Sequence, residues 1–463
     1  MRQLILLALP GLIALGVAAC GQPDSTLNPA QAGLSRLGDG EDSGCPGCLL
    51  REAIESAEAG DKIEVPAGTY TLSDGELVFD KDLTLAGAGP EQTIIQAAET
   101  AETAANRVLR IHEGSNVTIS GVTIRHGMAT SQEERMVIFP ILPGGIVSIN
   151  QEFGGGISND GTLQLVNVTV SGNHAGSGGG IFNGGTLTIT GGKIAGNRAN
   201  VMGGGIFNGG VMAITGCVFD GNQARTGGGI NNWADLTMAG STLRANSTEL
   251  GGGGIFNASV GTSVLDSSTI SGNFARSGGG IQNDGHLTLT NITVSGNTAK
   301  FGGGVQNWNN LQATNTTVSG NRAESRGGGI SVREPTAPPN TRVTNTIVAE
   351  NTAATGSDCF GDFTSLGNNL LGDGGGCAFA AASGDLIGTR AQPVAPRLAP
   401  LGNNGGLTET LALLRAARPS TRGGAVRRRT RTNGASPVPR ARRTTSAPSS
   451  GIINRFWQPL QVG

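Results

Sequence analysis

Short runs of alternating apolar and polar residues recur along most of this chain. Leu163 and Leu165 precede Val168 and Val170, and the same spacing returns from Leu287 to Val294. Alternation with a period of two is typical of β-strands, because successive side chains point to opposite faces of a strand. The pattern predicts many short strands separated by turns.

A longer period is superimposed on this alternation. A Gly-Gly-Gly-aliphatic step recurs every 24 to 26 residues, with its aliphatic residue at Ile157, Ile181, Ile206, Ile230, Ile255, Ile281, Val305 and Ile330. A second step, mostly Ser-Gly-Asn, places an asparagine at Asn173, Asn197, Asn222, Asn246, Asn273, Asn297 and Asn321. Three glycines in each period exclude a helical solenoid. We therefore predict an all-β fold, a single-stranded right-handed parallel β-helix with about 24–25 residues per coil.

In such a fold, equivalent residues of successive coils stack about 4.8 Å apart. The aliphatic positions should form an internal column, and the asparagines should form a hydrogen-bonded ladder in the turns. We expect the β-helix to span residues 61–355. Residues 48–60 should form a capping helix, because Leu50, Ile54 and Ala57 fall on one helical face.

The N-terminus has the pattern of an export signal. Arg2 is followed by an apolar stretch from Leu4 to Val17, and then by Val17-Ala18-Ala19-Cys20. This ending resembles a lipobox, which predicts a signal peptide over 1–19, a lipidated Cys20 and a linker over 20–47. The lipid would anchor the protein in the cell envelope, at the outer membrane or the cell surface. An ordinary secretory signal with a chance cysteine remains the alternative.

The other cysteines suggest disulfides rather than a metal site. Cys359 and Cys377 bracket a short glycine- and asparagine-rich loop, and we expect them to pair. No second Cys or His pair at zinc-ligand spacing follows Cys45 and Cys48, so we predict no metal site and leave the redox state of that pair open. Cys217 falls at a strand position and should be a buried thiol.

Three segments resemble one bacterial family. Cys48 to Leu72, CLLREAIESAEAGDKIEVPAGTYTL, is similar to the N-terminal Cys-Ser/Thr-Leu-Arg-Glu-Ala motif of right-handed β-helix proteins, although Leu49 replaces the usual serine or threonine. The GGGIFN and SGN steps resemble polymorphic outer-membrane protein repeats. Cys359 to Leu414 resembles the choice-of-anchor ending of such proteins, which makes 356–414 an anchor-type region. The resemblance implies a surface-exposed β-helix, a fold shared by adhesin-like proteins and polysaccharide lyases, and no particular substrate.

Residues 415–463 differ in character from the rest. Eleven of the 32 Lys and Arg residues follow Glu409, after which no acidic residue occurs. Read one base out of frame, Arg415 to Gly424 and Arg431 to Ser450 can encode strings similar to the family's C-terminal ending. We predict a frameshifted, disordered tail, to be checked in the nucleotide sequence; a basic binding tail is the alternative. The acidic remainder argues against a nucleic-acid partner.

No set of acids at one-coil spacing suggests catalysis. Asp220 is followed one period later by Arg244, and Asp266 by Thr290, so no in-register carboxylate pair was found. The four histidines fall in different registers, where solvated surface positions are expected. We therefore predict no catalytic residues and no cofactor.

One charged column and two insertions remain as candidate features. Arg225, Glu249, Arg276, Lys300 and Glu324 each follow an asparagine marker by three residues, which suggests surface ion pairs between coils or a polar binding stripe. The insertions, Met128 to Phe153 and Ser331 to Arg342, are candidate binding loops or covers of the coil surface.

These features lead to one functional expectation and one alternative. We expect a monomeric envelope lipoprotein with a structural, adhesin-like or ligand-binding role towards glycans or cell-surface proteins. A polysaccharide lyase or glycoside hydrolase on the same scaffold is the alternative.

Overall fold

The computed structural model describes residues 45–129, 152–332 and 340–414. Cys20 with the predicted signal and linker, most of the first insertion, and the arginine-rich tail lie outside these residues. The described residues form a parallel β-solenoid, as the repeat predicts.

Each coil contributes strands to parallel sheets that we number in chain order within a coil. The strands of sheet 1 are Leu77–Phe79, Leu109–Ile111, Ile157–Asn159, Ile181–Asn183, Ile206–Asn208, Ile230–Asn232, Ile255–Asn257, Ile281–Asn283, Val305–Asn307 and Ile330–Val332. The longer strands of sheet 2 are Lys62–Val65, Leu83–Gly87, Asn116–Ser120, Thr162–Val166, Thr186–Thr190, Val211–Thr215, Asp235–Ala239, Thr262–Asp266, His286–Thr290, Asn310–Thr314, Thr341–Thr344, Cys359–Ser365 and Cys377–Ala380. Strand Cys359–Ser365 pairs with both sheets and joins them.

Two further sheets complete the coils. The strands of sheet 3 are Gly68–Thr71, Thr93–Gln96, Thr123–Arg125, Thr169–Ser171, Lys193–Ala195, Val218–Asp220, Thr242–Arg244, Thr269–Ser271, Thr293–Ser295, Thr317–Ser319, Ile347–Ala349, Leu370–Leu371 and Leu386–Ile387. Sheet 4 is interrupted, with strands His174–Ser177, Arg198–Met202, Gln223–Thr226, Ser247–Gly251, Thr298–Phe301 and Arg322–Arg326. A short 3-10 helix, Ala101–Thr103, interrupts the early coils.

The predicted internal column is present in the core. Ile181 pairs in register with Ile157 and Ile206, and Ile206 pairs with Ile230. The whole column is at most 1% exposed, and comprises Ile157, Ile181, Ile206, Ile230, Ile255, Ile281, Val305 and Ile330. Each coil therefore gains stability by burying these side chains against the coils on either side.

The glycine triplets form corners that no other residue fits. Gly203 has a φ of +66°, and a Cβ there would lie 2.4 Å from the carbonyl oxygen of Ile206. At Gly204, a Cβ would lie 2.5 Å from the carbonyl oxygen of Gln223 in the next coil. The triplet is thus required both by backbone conformation and by the close approach of neighbouring coils.

The asparagine markers form a buried ladder. The Asn197 side-chain amide donates to Asn222 Oδ1 at 3.0 Å and to the Val170 carbonyl at 2.9 Å. Its backbone N–H also donates to Asn222 Oδ1, at 3.1 Å. The ladder runs through Asn173, Asn197, Asn222, Asn246, Asn273, Asn297, Asn321 and Asn351, and ends on the Asp358 carboxylate.

A second buried asparagine ladder lies in sheet 1, and our sequence analysis missed it. Asn183 donates its side-chain amide to Asn208 Oδ1 at 2.7 Å. The column is Asn159, Asn183, Asn208, Asn232, Asn257, Asn283 and Asn307. Its signal was an asparagine two residues after each aliphatic marker from Ile157 to Val305. Both ladders satisfy polar groups that would otherwise be buried without partners.

The N-terminal helix, α1, spans Pro46–Ser56 and packs on the first strands of the solenoid. It begins and ends earlier than the 48–60 segment that we predicted. Cys45 is the N-cap and Pro46 occupies the first turn, where proline is favoured. Ala57 is already extended, so the helix ends before Gly60. Leu50 and Ile54 are buried, as a cap requires.

The C-terminal boundary also differs from our expectation. Strands of sheets 2 and 3 continue to Leu386–Ile387, so the β-helix does not end at 355. Beyond it, antiparallel bridges join Leu398 to Leu413 and Gly402 to Thr410. The Thr408 hydroxyl lies 2.9 Å from the Thr269 hydroxyl, which places this hairpin on sheet 3. The segment that resembles an anchor region is therefore partly solenoid and partly a cover.

Candidate ligand-binding pocket

A pocket lies on the outer face of sheet 2, where three successive strands change composition. Their residues align in two columns. One column places His286 beside Asn310, and the other places Gln312 between Thr288 and Arg342. Alternation along each strand directs these five side chains outward, while Leu287 and Leu311 point into the core. The cavity measures about 280 Å³. Its lining residues are His286, Leu287, Thr288, Asn310, Leu311, Gln312, Asn340 and Arg342.

The returning end of the second insertion contributes Asn340 and Arg342 to the lining of this pocket. The backbone N–H of Leu311 donates to the carbonyl of Asn340 at 2.9 Å, which fixes the returning end of the insertion against the sheet. Arg342 follows two residues later and is exposed. Residues 333–339 of the insertion lie outside the described residues. The candidate loop from Ser331 to Arg342 thus reaches the pocket through Asn340 and Arg342.

A hydrogen bond sets the state of the histidine. The Asn310 side-chain amide lies 2.8 Å from His286 Nδ1. With the amide oriented so that its nitrogen donates, Nδ1 is the acceptor and the neutral ring carries its proton on Nε2. In this arrangement His286 acts as a hydrogen-bond donor through Nε2. His286 was expected to be a solvated surface residue, and it is exposed but at the pocket rim.

The pocket is neutral to positive. None of the described residues that line it is acidic, and Arg342 supplies a guanidinium group. In the part of the chain that the structure describes, neither Arg342 nor Gln312 forms a side-chain hydrogen bond or ion pair within the protein. Their polar groups are therefore available to a ligand. An exposed guanidinium beside an amide suits the binding of a carboxylate or sulfate group.

The nearest acids on sheet 2 do not form a hydrolytic pair. Asp235 lies beside Thr262, which lies beside His286, so one strand separates Asp235 from the histidine. Asp266 lies beside Thr290. Asp235 and Asp266 are one coil and four residues apart, which is about 14 Å by strand geometry. Glycosidases hold their two carboxyl groups about 5–9.5 Å apart.

Within the described ranges, no group of three or more His, Cys, Asp or Glu side chains is arranged to hold a metal ion. No helix of those ranges is both long and apolar enough to cross a membrane.

The predicted charged column does not form ion pairs. Among residues 152–332, none of Arg225, Glu249, Arg276, Lys300 and Glu324 lies within salt-bridge distance of an opposite charge. The register of sheet 4 shifts between Ala224 and Thr226, so Arg225 is not held opposite Glu249. Our interpretation of this column as surface ion pairs was wrong, because the bulge breaks the spacing that the sequence suggests. An inter-coil ion pair instead joins Asp220 to Arg244 at 3.1 Å.

The C-terminal end of the first insertion contacts the solenoid. Phe153, at its end, packs against Phe182 with ring centroids 4.6 Å apart, and Phe182 stacks on Phe207 at 5.6 Å. These rings form a small apolar cluster with Met202, apart from the main core. Residues 130–151, which include the apolar VIFPILP segment, lie outside the described residues, so a binding role there stays a prediction.

The five cysteines that the structure describes form two disulfides and one buried thiol. Cys359 and Cys377 are bonded, as are Cys45 and Cys48. Cys217 is free and fully buried, just before strand Val218–Asp220 rather than within a strand. Burial raises the pKa of the Cys217 thiol to about 12.

The pocket residues Thr288, Asn310, Gln312 and Arg342 were not identified from the sequence. Their residue types gave no signal, because the same outward column holds Gln164 and Thr188 in earlier coils. The pocket differs from those coils by the insertion before Arg342, whose position is recognisable only after the register of the strands is known.

Two solved structures are similar to this chain at low sequence identity. The catalytic domain of a GH87 alpha-1,3-glucanase variant in complex with tetrasaccharides is 14% identical, with a TM-score of 0.40, and the match covers 82% of this chain and 69% of that chain. The GH87 alpha-1,3-glucanase catalytic domain in complex with nigerose is 13% identical, with a TM-score of 0.35, and the match covers 73% of this chain and 66% of that chain. The fold is a parallel β-solenoid. At these identities the likeness says nothing about activity.

No protein-family model matches the chain, and a search of curated proteins found no relative. The resemblance to the choice-of-anchor and polymorphic outer-membrane families therefore stays a prediction.

Proposed function

We propose that the protein binds an acidic glycan on the outer face of sheet 2 without cleaving it. The observation that carries this proposal is the pocket itself, where Arg342, Gln312 and His286 offer hydrogen-bond donors and the described lining residues include no acid. A uronate or sulfated sugar supplies the complementary anion together with hydroxyl groups for Thr288 and Asn310. The cavity is near the small end of ligand pockets, which suits one sugar unit of a longer chain.

A polysaccharide lyase is the second candidate, because one cavity holds both a histidine and an arginine. β-Elimination needs a base at the proton beside the sugar carboxylate. With the Asn310 amide nitrogen donating to Nδ1 of His286, the ring nitrogen that would accept a proton is occupied. The geometry therefore favours binding over elimination, and a hydrolase is disfavoured by the separation of Asp235 and Asp266.

Calorimetric titration with matched acidic and neutral oligosaccharides tests the proposal. We expect binding of the acidic ligands and at least tenfold weaker binding of the neutral ones, about 1.4 kcal/mol. Equal affinity for both would contradict it. The same mixtures are monitored for unsaturated product by ultraviolet absorbance and for reducing ends, and the appearance of either product would replace the binding proposal with an enzymatic one.

The repeat supplies a matched pair of variants for this experiment. Gln164 and Gln312 occupy the same outward column of sheet 2, several coils apart. Gln312→Ala should weaken binding about tenfold, since it removes a hydrogen bond to a charged group. Gln164→Ala should leave affinity unchanged. Equal effects of the two variants would show that the pocket is not the site.

We further propose that the protein acts as a monomer anchored in the envelope by a lipid on Cys20, with glycans or cell-surface proteins as its partners. The Val17-Ala18-Ala19-Cys20 sequence supports this. Mass spectrometry of protein extracted from membranes should find the chain beginning at a lipidated Cys20, and Cys20→Ala should release it from the membrane fraction. Recovery of unmodified Cys20 in the membrane-bound protein would refute the anchor.

A further inference from the structure

The helix α1 carries a disulfide at its N-terminus. Cys45 is the N-cap, Cys48 lies in the first turn, and both are half-buried. The two residues between them are constrained. Pro46 occupies the first helical position, and a Cβ at Gly47 would lie 2.2 Å from the carbonyl oxygen of Thr71. The Cys-Pro-Gly-Cys loop is thus held rigidly against the first coil.

The backbone favours a negative charge on one of the two sulfurs. The N–H of Cys48 points at Cys45 Sγ, 3.2 Å away. The first amides of a helix lack intrahelical acceptors and form the positive end of its dipole. A thiolate at Cys45 would therefore be stabilised, and a stabilised thiolate is a good leaving group in disulfide exchange.

The other sulfur faces an acid. Asp74 Oδ2 lies 3.7 Å from Cys48 Sγ. Ser73 Oγ lies 3.8 Å from Cys45 Sγ and 3.7 Å from Cys48 Sγ, and it donates a hydrogen bond to Asp74 at 3.0 Å. When the disulfide is reduced, the carboxylate can accept the S–H of Cys48. The two sulfurs are thereby distinguished, one as a thiolate and one as a thiol.

The other three cysteines among the described residues lack these features. Cys359 is 1% exposed. Its disulfide with Cys377 joins two neighbouring solenoid strands, and neither sulfur lies at a helix N-terminus. Cys217 is fully buried, and its raised pKa keeps it protonated. The chain therefore contains its own controls for a structural disulfide and for an unreactive thiol.

We propose that Cys45 and Cys48 form a thiol–disulfide exchange site that oxidises a dithiol on a partner protein. A partner thiolate attacks Cys45 Sγ, the Cys45–Cys48 bond breaks, and its electron pair goes to Cys48 Sγ, which takes a proton from water. The second partner thiolate then attacks the partner sulfur of the mixed disulfide, and Cys45 leaves as a thiolate. Two electrons pass from the partner dithiol to the Cys45–Cys48 pair, and the partner gains a disulfide.

The first test uses the native full-length chain. The protein is equilibrated with graded reduced glutathione, alkylated, and analysed by peptide mass spectrometry. Cys45–Cys48 should be half-reduced at a glutathione concentration at least tenfold lower than Cys359–Cys377, with Cys217 left unalkylated. If the two disulfides open together, or Cys45–Cys48 opens last, the pair is a structural staple and the proposal fails.

The second test follows the reaction itself. A reduced dithiol peptide should be oxidised by the wild-type protein and at least tenfold more slowly by the Cys45→Ala/Cys48→Ala variant, which retains Cys359–Cys377. In single variants, a disulfide-activated peptide should be captured at Cys45 of Cys48→Ala at least tenfold faster than at Cys48 of Cys45→Ala. Equal capture rates at the two cysteines would contradict the roles assigned to Cys45 and Cys48. If a variant does not fold, the glutathione titration of the wild-type protein tests the proposal without it.

Discussion

The interior of the solenoid and the outer face of sheet 2 use the same repeat in opposite ways. Inside, the column from Ile157 to Ile281 is isoleucine in every coil, and other internal columns keep apolar residues, such as Ile194, Phe219 and Leu243. Outside, the column that contains Thr186 changes to Val211, Asp235, Thr262, His286 and Asn310. Backbone geometry is the same in both regions.

The difference shows that packing constrains the internal positions and leaves the outward positions free to vary. An internal position must fill the same space in every coil and so tolerates little change. An outward position on a regular strand contributes little to packing, so its residue is free to serve another purpose. We infer that stability resides in the repeated columns, and that ligand binding resides where the repeat is broken.

The largest expected effect comes from truncating the internal column. Ile206→Ala should lower the free energy of unfolding by about 2–5 kcal/mol, because it leaves a cavity among side chains that cannot close it. Chemical denaturation would measure the loss. Val211→Ala is the control in the next strand, since Val211 is 53% exposed, and it should change stability by less than about 0.5 kcal/mol. Similar losses for the two variants would refute the assignment of inside and outside.

The asparagine ladder should give the next largest effect. Asn222→Ala removes the acceptor of both the backbone and the side-chain N–H groups of Asn197, and leaves them buried. We expect a loss of about 1–3 kcal/mol in the same denaturation experiment. Asn310→Ala, in the half-exposed pocket, should cost less than about 0.5 kcal/mol. A ladder variant as stable as the wild type would mean that water replaces the lost acceptor.

The end of the ladder should give a smaller, pH-dependent effect. Burial raises the pKa of Asp358, although the N–H groups of Asn351 act in the opposite direction. A raised pKa in the folded state means that the folded protein binds the proton more tightly. The resulting stabilisation is present below the ordinary pKa of about 3.9 and is lost as pH rises through the raised value.

Asp358→Asn isolates this contribution, because the amide cannot titrate. Denaturation midpoints are measured for both proteins from neutral to acidic pH. The midpoint of the wild type should rise relative to that of the variant as pH falls. A difference between the two proteins that does not depend on pH would contradict the titration of Asp358.

The surface ion pair should give the smallest effect. Partial burial of Asp220 acts to raise its pKa, but hydrogen bonds from Arg244 and Lys193 hold that pKa below its ordinary value. The stabilisation is therefore present above the ordinary pKa and is lost as pH falls through the lowered one. Arg244→Ala should cost about 0–1 kcal/mol in low salt and less in high salt. Arg225→Ala, which breaks no ion pair, is the matched control, and an equal loss would argue against the pair.

The fold could be predicted from the sequence because its causes are repeated. Ile157 to Ile330 and Asn173 to Asn321 recur at one period, and each recurrence adds evidence for the same register. The ends were less predictable. The helix begins at Pro46 because of a cap, and the solenoid continues to Ile387 through coils that lack the markers.

The pocket could not be predicted in the same way. Gln312 and Arg342 are brought together by an insertion that changes the spacing between their coils from about two dozen residues to 30. The prediction of ion pairs along the charged column was wrong for a related reason, because a bulge in sheet 4 interrupts the pairing at Arg225. Sequence periodicity identifies positions that obey the repeat, and it gives no position for residues that follow an insertion or a bulge.

The role of the pocket is tested most directly by calorimetric titration of an acidic oligosaccharide into the wild type and Arg342→Ala. We expect binding by the wild type and at least tenfold weaker binding by the variant, with the unfolding midpoint unchanged. Equal affinity for both proteins, or weaker binding accompanied by loss of stability, would contradict the claim that binding resides where the repeat is broken.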